Sequence, residues 1–303
     1  MNSILSKAGI QPGHRPPAAV EISPDGVLAA ASPAPGQAPV YAFAPLAAGA
    51  IVPGIGEPNV RAAEALSSAI HSALGQVSAR SHAITLVLPD NAVRVFVLDF
   101  DSLPPRPAEA MSVLRFRLRK MVPFDVEHAG LSYQVLTESK SECKVLAAVM
   151  PGAILAEYES AVRAAGYEPG AVLPSSLAAL AALDSMEALL IANLSHMALT
   201  TTIVNGNDLL LYRTMDLPLD PALHEDEVQR AIAVAAAYFE DKLGARPMQL
   251  LYAGVEPSSE FALWIADQEL SVAELAPHPE TGMVTTMGSL SIAGVTGALA
   301  GAR

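Results

Sequence analysis

The order three strands, helix, strand, helix occurs twice along this chain, and a duplicated mixed unit of that kind folds as two α/β lobes around a crevice. In the first half, residues 18–22 and 27–31 are short apolar runs on either side of Ser23-Pro24-Asp25-Gly26, which predicts a hairpin with a tight turn. Residues 40–44 read as a third strand. Residues 60–76 carry Ala63, Leu66, Ile70 and Leu74 at three- and four-residue steps, one face of a helix. Residues 83–88 form a compact buried strand ended by Pro89-Asp90.

In the second half, strands at 189–194, 198–204 and 209–213 precede a long helix at 225–243. The last two strands are joined by Asn205-Gly206-Asn207, a strong hairpin signal. A strand at 248–252, a helix at 258–267, a strand near 270–275 and a helix near 287–300 complete the unit. The halves share a pattern rather than a sequence. Between the repeats lies a segment of different character. Residues 92–100 alternate, residues 109–121 form a basic helix with Arg115, Arg117, Arg119 and Lys120, and two strands at 131–136 and 143–150 flank a polar turn. A helix at 154–165 is followed by Gly166, a favoured stop.

Composition decides what such lobes can hold. Of 303 residues 51% are hydrophobic and only 16% charged, so the chain can bury a large core and wholesale disorder is excluded. Lys and Arg number 18 against 31 Asp and Glu, a formal charge of −13, which argues against a nucleic-acid partner. The single cysteine, Cys143, excludes an internal disulfide and a cysteine-cluster zinc site, and fits a reducing compartment. Residues 27–56 carry no charge but are interrupted by Pro33, Pro35, Pro39, Pro45 and Pro53, so they do not read as a membrane span. The uncharged stretch 281–302 reads as a buried C-terminal helix. Residues 1–13 show no signal-peptide pattern, and a cytoplasmic protein is expected.

The stretch 84–136 resembles the PilM family, the cytoplasmic actin-like component of type IV pilus assembly. The residues that carry the resemblance are Leu86-Val87-Leu88-Pro89-Asp90, Val93-Arg94-Val95, Leu103-Pro104, Glu109 with the basic helix, Val122-Pro123-Phe124, and Leu131-Ser132-Tyr133-Gln134-Val135-Leu136. Ala164-Ala165-Gly166-Tyr167-Glu168-Pro169 continues it, and a thin similarity runs to the C-terminus. The resemblance implies an actin-like (ribonuclease H-like) duplicated α/β fold with an inserted small α+β subdomain. The lobes would span 18–186 and 187–303 after a flexible segment at 1–17, with the insert at about 91–170. It also implies ATP in the interlobe crevice and, beside the insert, a groove for the cytoplasmic N-terminal tail of an inner-membrane protein, PilN. Through that partner the chain would lie peripheral to the inner membrane. The cytoplasmic domain of the type II secretion L protein is similar, so pilus and secretion machinery both stay open.

In actin-like ATPases each lobe offers a hairpin with a carboxylate for hydrated magnesium and glycines that let backbone N–H groups approach phosphate. The aligned first hairpin here has Glu21, one methylene longer than the usual Asp, and Ser23 in place of glycine, followed by Pro24, which removes a donor. In the second hairpin Asn193 stands where the family has Asp, and Ser195 again replaces glycine. An amide brings no anionic charge to a cation that prefers hard oxygen ligands. The adenosine turn keeps one glycine, Gly254. These departures favour a scaffold with a degenerate nucleotide cleft, without catalytic residues, metal or cofactor. The alternative is an active Mg-ATP-binding actin-like ATPase, and the plain alternative for Glu21 and Asn193 is a pair of solvated or hydrogen-bonded turn residues.

For the partner, Arg115, Arg119, Lys120 and Phe124 are the candidate contacts, against the reading that the basic helix is a solvated face and its apolar residues core. Arg115 and Arg119 lie one turn apart and share a face, while Arg117 points elsewhere. Ser141-x-x-Lys144 has a hydrolase spacing without the accompanying motifs, Gly54-x-Gly56 lacks a third glycine, and the seven histidines follow no metal-binding spacing.

Overall fold

A computed structural model describes residues 15–32, 37–139, 141–183, 185–279, 282–283 and 290–300. The repeat seen in the sequence becomes two five-stranded sheets of the same order. The first contains β1 (Ala18–Ile22), β2 (Gly26–Ala31), β3 (Val40–Pro45), β4 (Ala83–Leu88) and β8 (Glu168–Pro174), in the order β3-β2-β1-β4-β8. The second contains β9 (Ala188–Leu194), β10 (Ala198–Asn205), β11 (Asp208–Asp216), β12 (Gln249–Gly254) and β13 (Ser271–Glu274), in the order β11-β10-β9-β12-β13. In each, an antiparallel meander of three strands is followed by two parallel strands. The parallel additions require crossovers, which helices supply.

The meanders turn where the sequence marks them. Ser23 and Gly26 exchange backbone hydrogen bonds across the first turn, and a side chain at Gly26 would put its Cβ 2.3 Å from the Ala44 carbonyl oxygen. Gly206 takes a left-handed φ of 58° between Asn205 and Asp208, which pair across the hairpin.

Helices α1 (Ala63–Gln76) and α3 (Gly152–Ala164) cover one face of the first sheet, where Leu66, Ile70, Leu74, Ile154, Tyr158 and Val162 bury against Val20, Ile84 and Leu86. Helices α5 (His224–Leu243) and α6 (Ser258–Trp264) cover one face of the second, where Ile232, Phe239 and Phe261 meet Leu190, Leu194 and Tyr252. The inner faces are covered by α4 (Ser175–Leu180) and α7 (Ala293–Ala300), and these two helices are exchanged between the lobes. Val295, Ala298 and Leu299 of α7 pack on Ala19, Leu28 and Val87 of the first sheet. Leu177 and Leu180 of α4 pack on Ile191, Val204 and Tyr212 of the second. Where the helices cross, a Cβ at Gly297 would stand 1.9 Å from the Ala178 carbonyl oxygen, so only glycine permits the approach. Of the buried C-terminal helix expected over 281–302, residues Ala293–Ala300 are helical, 282–283 and 290–292 are not, and 281, 284–289 and 301–302 lie outside the described residues.

A third sheet, β5 (Arg94–Phe100), β7 (Cys143–Met150) and β6 (Gly130–Glu138) in that order, stands between β4 and α3 with α2 (Pro107–Leu118) against it. Leu114 and Leu118 of α2 join Leu98, Val145, Ala147 and Val149 in a separate small core. Of the span 91–170 expected as the insert, residues 94–150 build this unit, whereas α3 and β8 belong to the first sheet and its core, because Ile154, Tyr158 and Val162 find their apolar partners there. No helix among the described residues is long and apolar enough to cross a membrane.

Candidate functional site

The two hairpin turns face each other across the crevice. Glu21 is the penultimate residue of β1 and Asn193 the penultimate residue of β9, so the repeated topology places them as counterparts. The Ser175 hydroxyl at the start of α4 donates to Glu21 Oε1 at 2.5 Å, while Oε2 is buried without a hydrogen-bond partner. A Cβ at Gly294 would lie 2.3 Å from that Oε2, so α7 presses its first turn directly on the carboxyl group. Burial pushes the Glu21 pKa up to about 7, only partly opposed by the Ser175 hydroxyl, and nearby Asp90 pushes the same way.

Both serines close their own turns. Ser23 Oγ donates to the Gly26 carbonyl at 3.3 Å, and Ser195 Oγ donates to the Ala198 carbonyl at 3.1 Å. The Ser195 hydroxyl also receives the Ala198 N–H at 3.0 Å. Hairpins that in an ATPase would turn N–H groups toward phosphate are satisfied internally here. Gly254 ends β12, and a Cβ there would meet the Tyr252 hydroxyl at 2.1 Å; its carbonyl accepts from Ser291 N at 3.1 Å. That glycine is needed by the protein's own tyrosine, whose ring stacks on Phe261 at a centroid distance of 4.2 Å.

The centre of the crevice is Asp90, which in the sequence marks only the end of a strand. It sits in the turn after β4 and is buried, and every donor around it is a neighbour in the fold. Its Oδ1 accepts from Ser176 N at 3.0 Å and from the Tyr212 hydroxyl at 3.1 Å. Its Oδ2 accepts from Thr200 Oγ1 at 3.0 Å and Asn193 Nδ2 at 3.3 Å, and from the Ser176 hydroxyl at short range. Burial raises the Asp90 pKa, against which the Ser176, Thr200 and Tyr212 donors work. Asn193 Nδ2 is also within 3.1 Å of Ser175 Oγ and 3.0 Å of Ser176 Oγ. Its amide hydrogens thus point at the crevice wall. One signal for this cluster lies in the sequence: Thr200, Thr201 and Thr202 are consecutive hydroxyls inside an otherwise apolar strand, all buried.

At the mouth, His196 Nε2 lies 3.0 Å from both carboxylate oxygens of Asp25, joining the tips of the two hairpins. The hydrogen bond to Asp25 raises the His196 pKa, with its own desolvation opposing. What remains open between Glu21, Ser23, Asn193, Ser195 and Gly254 is a cavity of about 80 Å³. Small-molecule sites are typically larger, roughly 300–1,000 Å³. Among the described residues no three His, Cys, Asp or Glu side chains converge as a metal site.

The candidate partner residues on and after α2 divide. Arg115 turns inward and donates to the Val126 and Ala129 carbonyls, closing the loop that follows the helix. Arg119 pairs with Glu127 at 2.5 Å, and Phe124 packs into the small core. Lys120 is exposed, and neither it nor the exposed Arg117 pairs with another described residue. Beside them lie Val113, Phe116 and Met121, the second of these 68% exposed. A separate open groove of about 500 Å³ runs between α1 and α3, rimmed by Glu64 and Glu157.

Two matched lobes with exchanged inner helices, hairpins meeting over a crevice and a small inserted sheet define the actin-like fold, and the chain has it. Among solved structures it is similar to the PilM–PilN type IV pilus biogenesis complex, with a TM-score of 0.67 and 16% identity over 86% of this chain and 89% of that one. It is also similar to the cytoplasmic domain of EpsL, an inner-membrane component of the type II secretion system of Vibrio cholerae, with a TM-score of 0.50 and 15% identity over 93% and 92%. A Bacteroides thetaiotaomicron protein with an actin-like ATPase fold and unknown function gives a TM-score of 0.51 and 12% identity over 88% and 91%. No family model matches the sequence, and no curated protein does.

Proposed function

We propose that this chain is a cytoplasmic scaffold of a type IV pilus or related secretion assembly, which binds the cytoplasmic tail of a PilN-like inner-membrane protein and does not turn over ATP. The likeness in fold to the PilM–PilN complex and to the EpsL cytoplasmic domain supports the assembly role. Asn193 carries the reading against turnover. It brings no negative charge to the second hairpin, and its amide hydrogens face Asp90, Ser175 and Ser176. With those hydrogens spent on the wall, this side chain can offer a magnesium ion only a neutral amide oxygen where an ATPase offers a carboxylate.

The exposed side of α2 offers the chemistry for partner contact. Phe116 and Met121 supply apolar area, and Arg117 and Lys120 supply cations that no described residue pairs; aromatic, methionine and arginine side chains are enriched at interfaces. Association with the inner membrane would then be indirect, through the partner. The test is calorimetric titration with the cytoplasmic tail peptide of the PilN-like protein encoded beside this chain. Binding at micromolar concentration, weakened at least about tenfold by Phe116→Ser with Lys120→Glu, is the expected result. No heat at high micromolar peptide overturns it.

A second reading, an Mg-ATP-dependent enzyme, is favoured by the two carboxyl groups, Glu21 and Asp90, that reach the crevice. It requires a magnesium-dependent thermal shift with ATP, since a ligand that binds only the folded state raises its apparent stability. The scaffold reading expects no shift for the natural chain.

A further inference from the structure

Three side chains of the second lobe converge on one carboxylate of the first. Thr200 of β10, Tyr212 of β11 and Asn193 of β9 all donate to Asp90, which follows β4. Separating the lobes would exchange three of the five donors to Asp90 for water. The cluster therefore joins the lobes through the net gain of hydrogen bonds to a charged acceptor, which exceeds that of neutral pairs. Thr200 Oγ1 is also 3.0 Å from Thr214 Oγ1, which ties the cluster to the next strand. The inserted subdomain reinforces the same side: Arg94 of β5 pairs with Asp216 of β11 at 3.1 Å, and Val95, Val97 and Leu146 pack with Val204, Leu209 and Tyr212.

The second attachment lies at the opposite rim. Asp25 in the β1–β2 turn and His196 in the β9–β10 turn meet at 3.0 Å, with Asp25 about one-third and His196 about half exposed. We propose that the Asp90 cluster and the Asp25–His196 pair form a two-point latch that holds the crevice shut, the inner point fixed by hydrogen bonds and the outer point a hydrogen-bonded pair that is strengthened when the histidine is protonated. The latch is independent of which partner occupies α2.

The groups around each point set the direction of its response to pH. His196 is faced by Asp25 across the crevice and by Glu256 beyond β12, both of which favour its charged form. Asp90 is faced by Glu21, Tyr212, Ser176 and Thr200. A histidine whose pKa is raised in the closed form stabilises that form fully below its ordinary value of 6.5, and the contribution is lost as pH rises through the raised value. Glu21 and Asp90, both raised, are more costly to keep closed as pH rises, so they act in the same direction. Acid tightens the latch and alkali loosens it.

Amide hydrogen exchange on the intact chain, corrected for intrinsic rates and read at about pH 6 and about pH 8.5, tests this directly. Peptides covering 22–26 and 193–198 are expected to exchange roughly fivefold or more faster at the higher pH, while peptides within β7 change little. His196→Gln and, separately, Asp25→Asn should bring both turns to the fast level at either pH. Thr200→Val with Tyr212→Phe preserves shape and should speed exchange along β9 and β10 at both pH values while keeping the step at the turns. A natural chain without the step, or a His196→Gln chain whose step is as large as the natural chain's, overturns the outer point. Unchanged exchange along β9 and β10 in the double variant overturns the inner point.

Discussion

A carboxylate taken out of water is tolerated only when donors replace the lost hydration, and Asp90 recovers five of them. Asp90→Ala would leave Ser176 and Tyr212 without this acceptor, while Asn193 keeps Ser175 and Ser176 and Thr200 keeps Thr214, and a loss on the order of 3 kcal/mol is expected in urea unfolding. Tyr212→Phe, which removes one donor from the set, should cost about 1 kcal/mol. Glu21 makes a different prediction because its burial is poorly compensated. With its pKa raised from 4.5 to about 7, the folded chain holds a proton that the unfolded chain has already released, so stability from this group falls as pH climbs between those values. Glu21→Gln keeps the shape without the charge. It should flatten that fall and gain on the order of 2 kcal/mol above pH 7, and a denaturation series from pH 4.5 to 8 in both chains measures it. Glu21 and Asn193 are legible in the sequence because each is a polar residue near the end of an apolar strand that opens a repeated hairpin. Asp90 is not, since a single acid after an apolar strand has no spacing to mark it, and its donors come from residues 86 to 122 positions away.

At the level of elements, α2 separates two roles that its sequence mixes. Leu114 and Leu118 are fully buried and hold the helix to its sheet. Leu114→Ala should therefore cost about 2–5 kcal/mol, part from lost apolar burial and part from the cavity left behind. Phe116, two positions on, is 68% exposed, and Phe116→Ser should leave the melting temperature within about a degree or two while weakening the proposed partner binding. Thermal melts of the two variants side by side distinguish the buried face from the contacting one. The basic run of this helix splits in the same way. Arg115 serves loop carbonyls and Arg119 serves Glu127, so charge on a helix does not reveal which cations are already spent. Strand positions are clearer, because alternation and turn residues are local signals. The six residues of α4, Ser-Ser-Leu-Ala-Ala-Leu, are too short for helical periodicity to declare itself, and their helix follows from packing on the opposite lobe.

Across the whole molecule, the exchanged helices decide whether two similar lobes behave as one body. A duplicated unit can be read from its repeating order, but an exchange cannot, because nothing local in α7 says that its partner sheet is built from residues 18–88 rather than from the strands just before it. What the sequence does carry is the permission for it: glycines at 294 and 297 and alanines at 293 and 298, where larger side chains would hold the backbones apart. Gly297→Ala tests this arrangement. Its new Cβ would fall 1.9 Å from the Ala178 carbonyl oxygen, an atom of a packed backbone that cannot swing aside as a side-chain end would. The helices must separate, and Val295 and Leu299 must partly leave the first sheet, a loss of about 1–3 kcal/mol by overpacking. Since α4 also carries Ser175 and Ser176, its displacement would pull donors from Glu21 and Asp90 at once. A lower unfolding midpoint is therefore expected together with a larger radius of gyration by small-angle scattering, as the crevice widens. Exposed Gly75, where an added Cβ would meet nothing within 4 Å, gives the control, because Gly75→Ala at that helical position should leave both readings in place or slightly improve stability. If Gly297→Ala moved neither the midpoint nor the radius, the crossing of α4 and α7 would not be what joins the lobes.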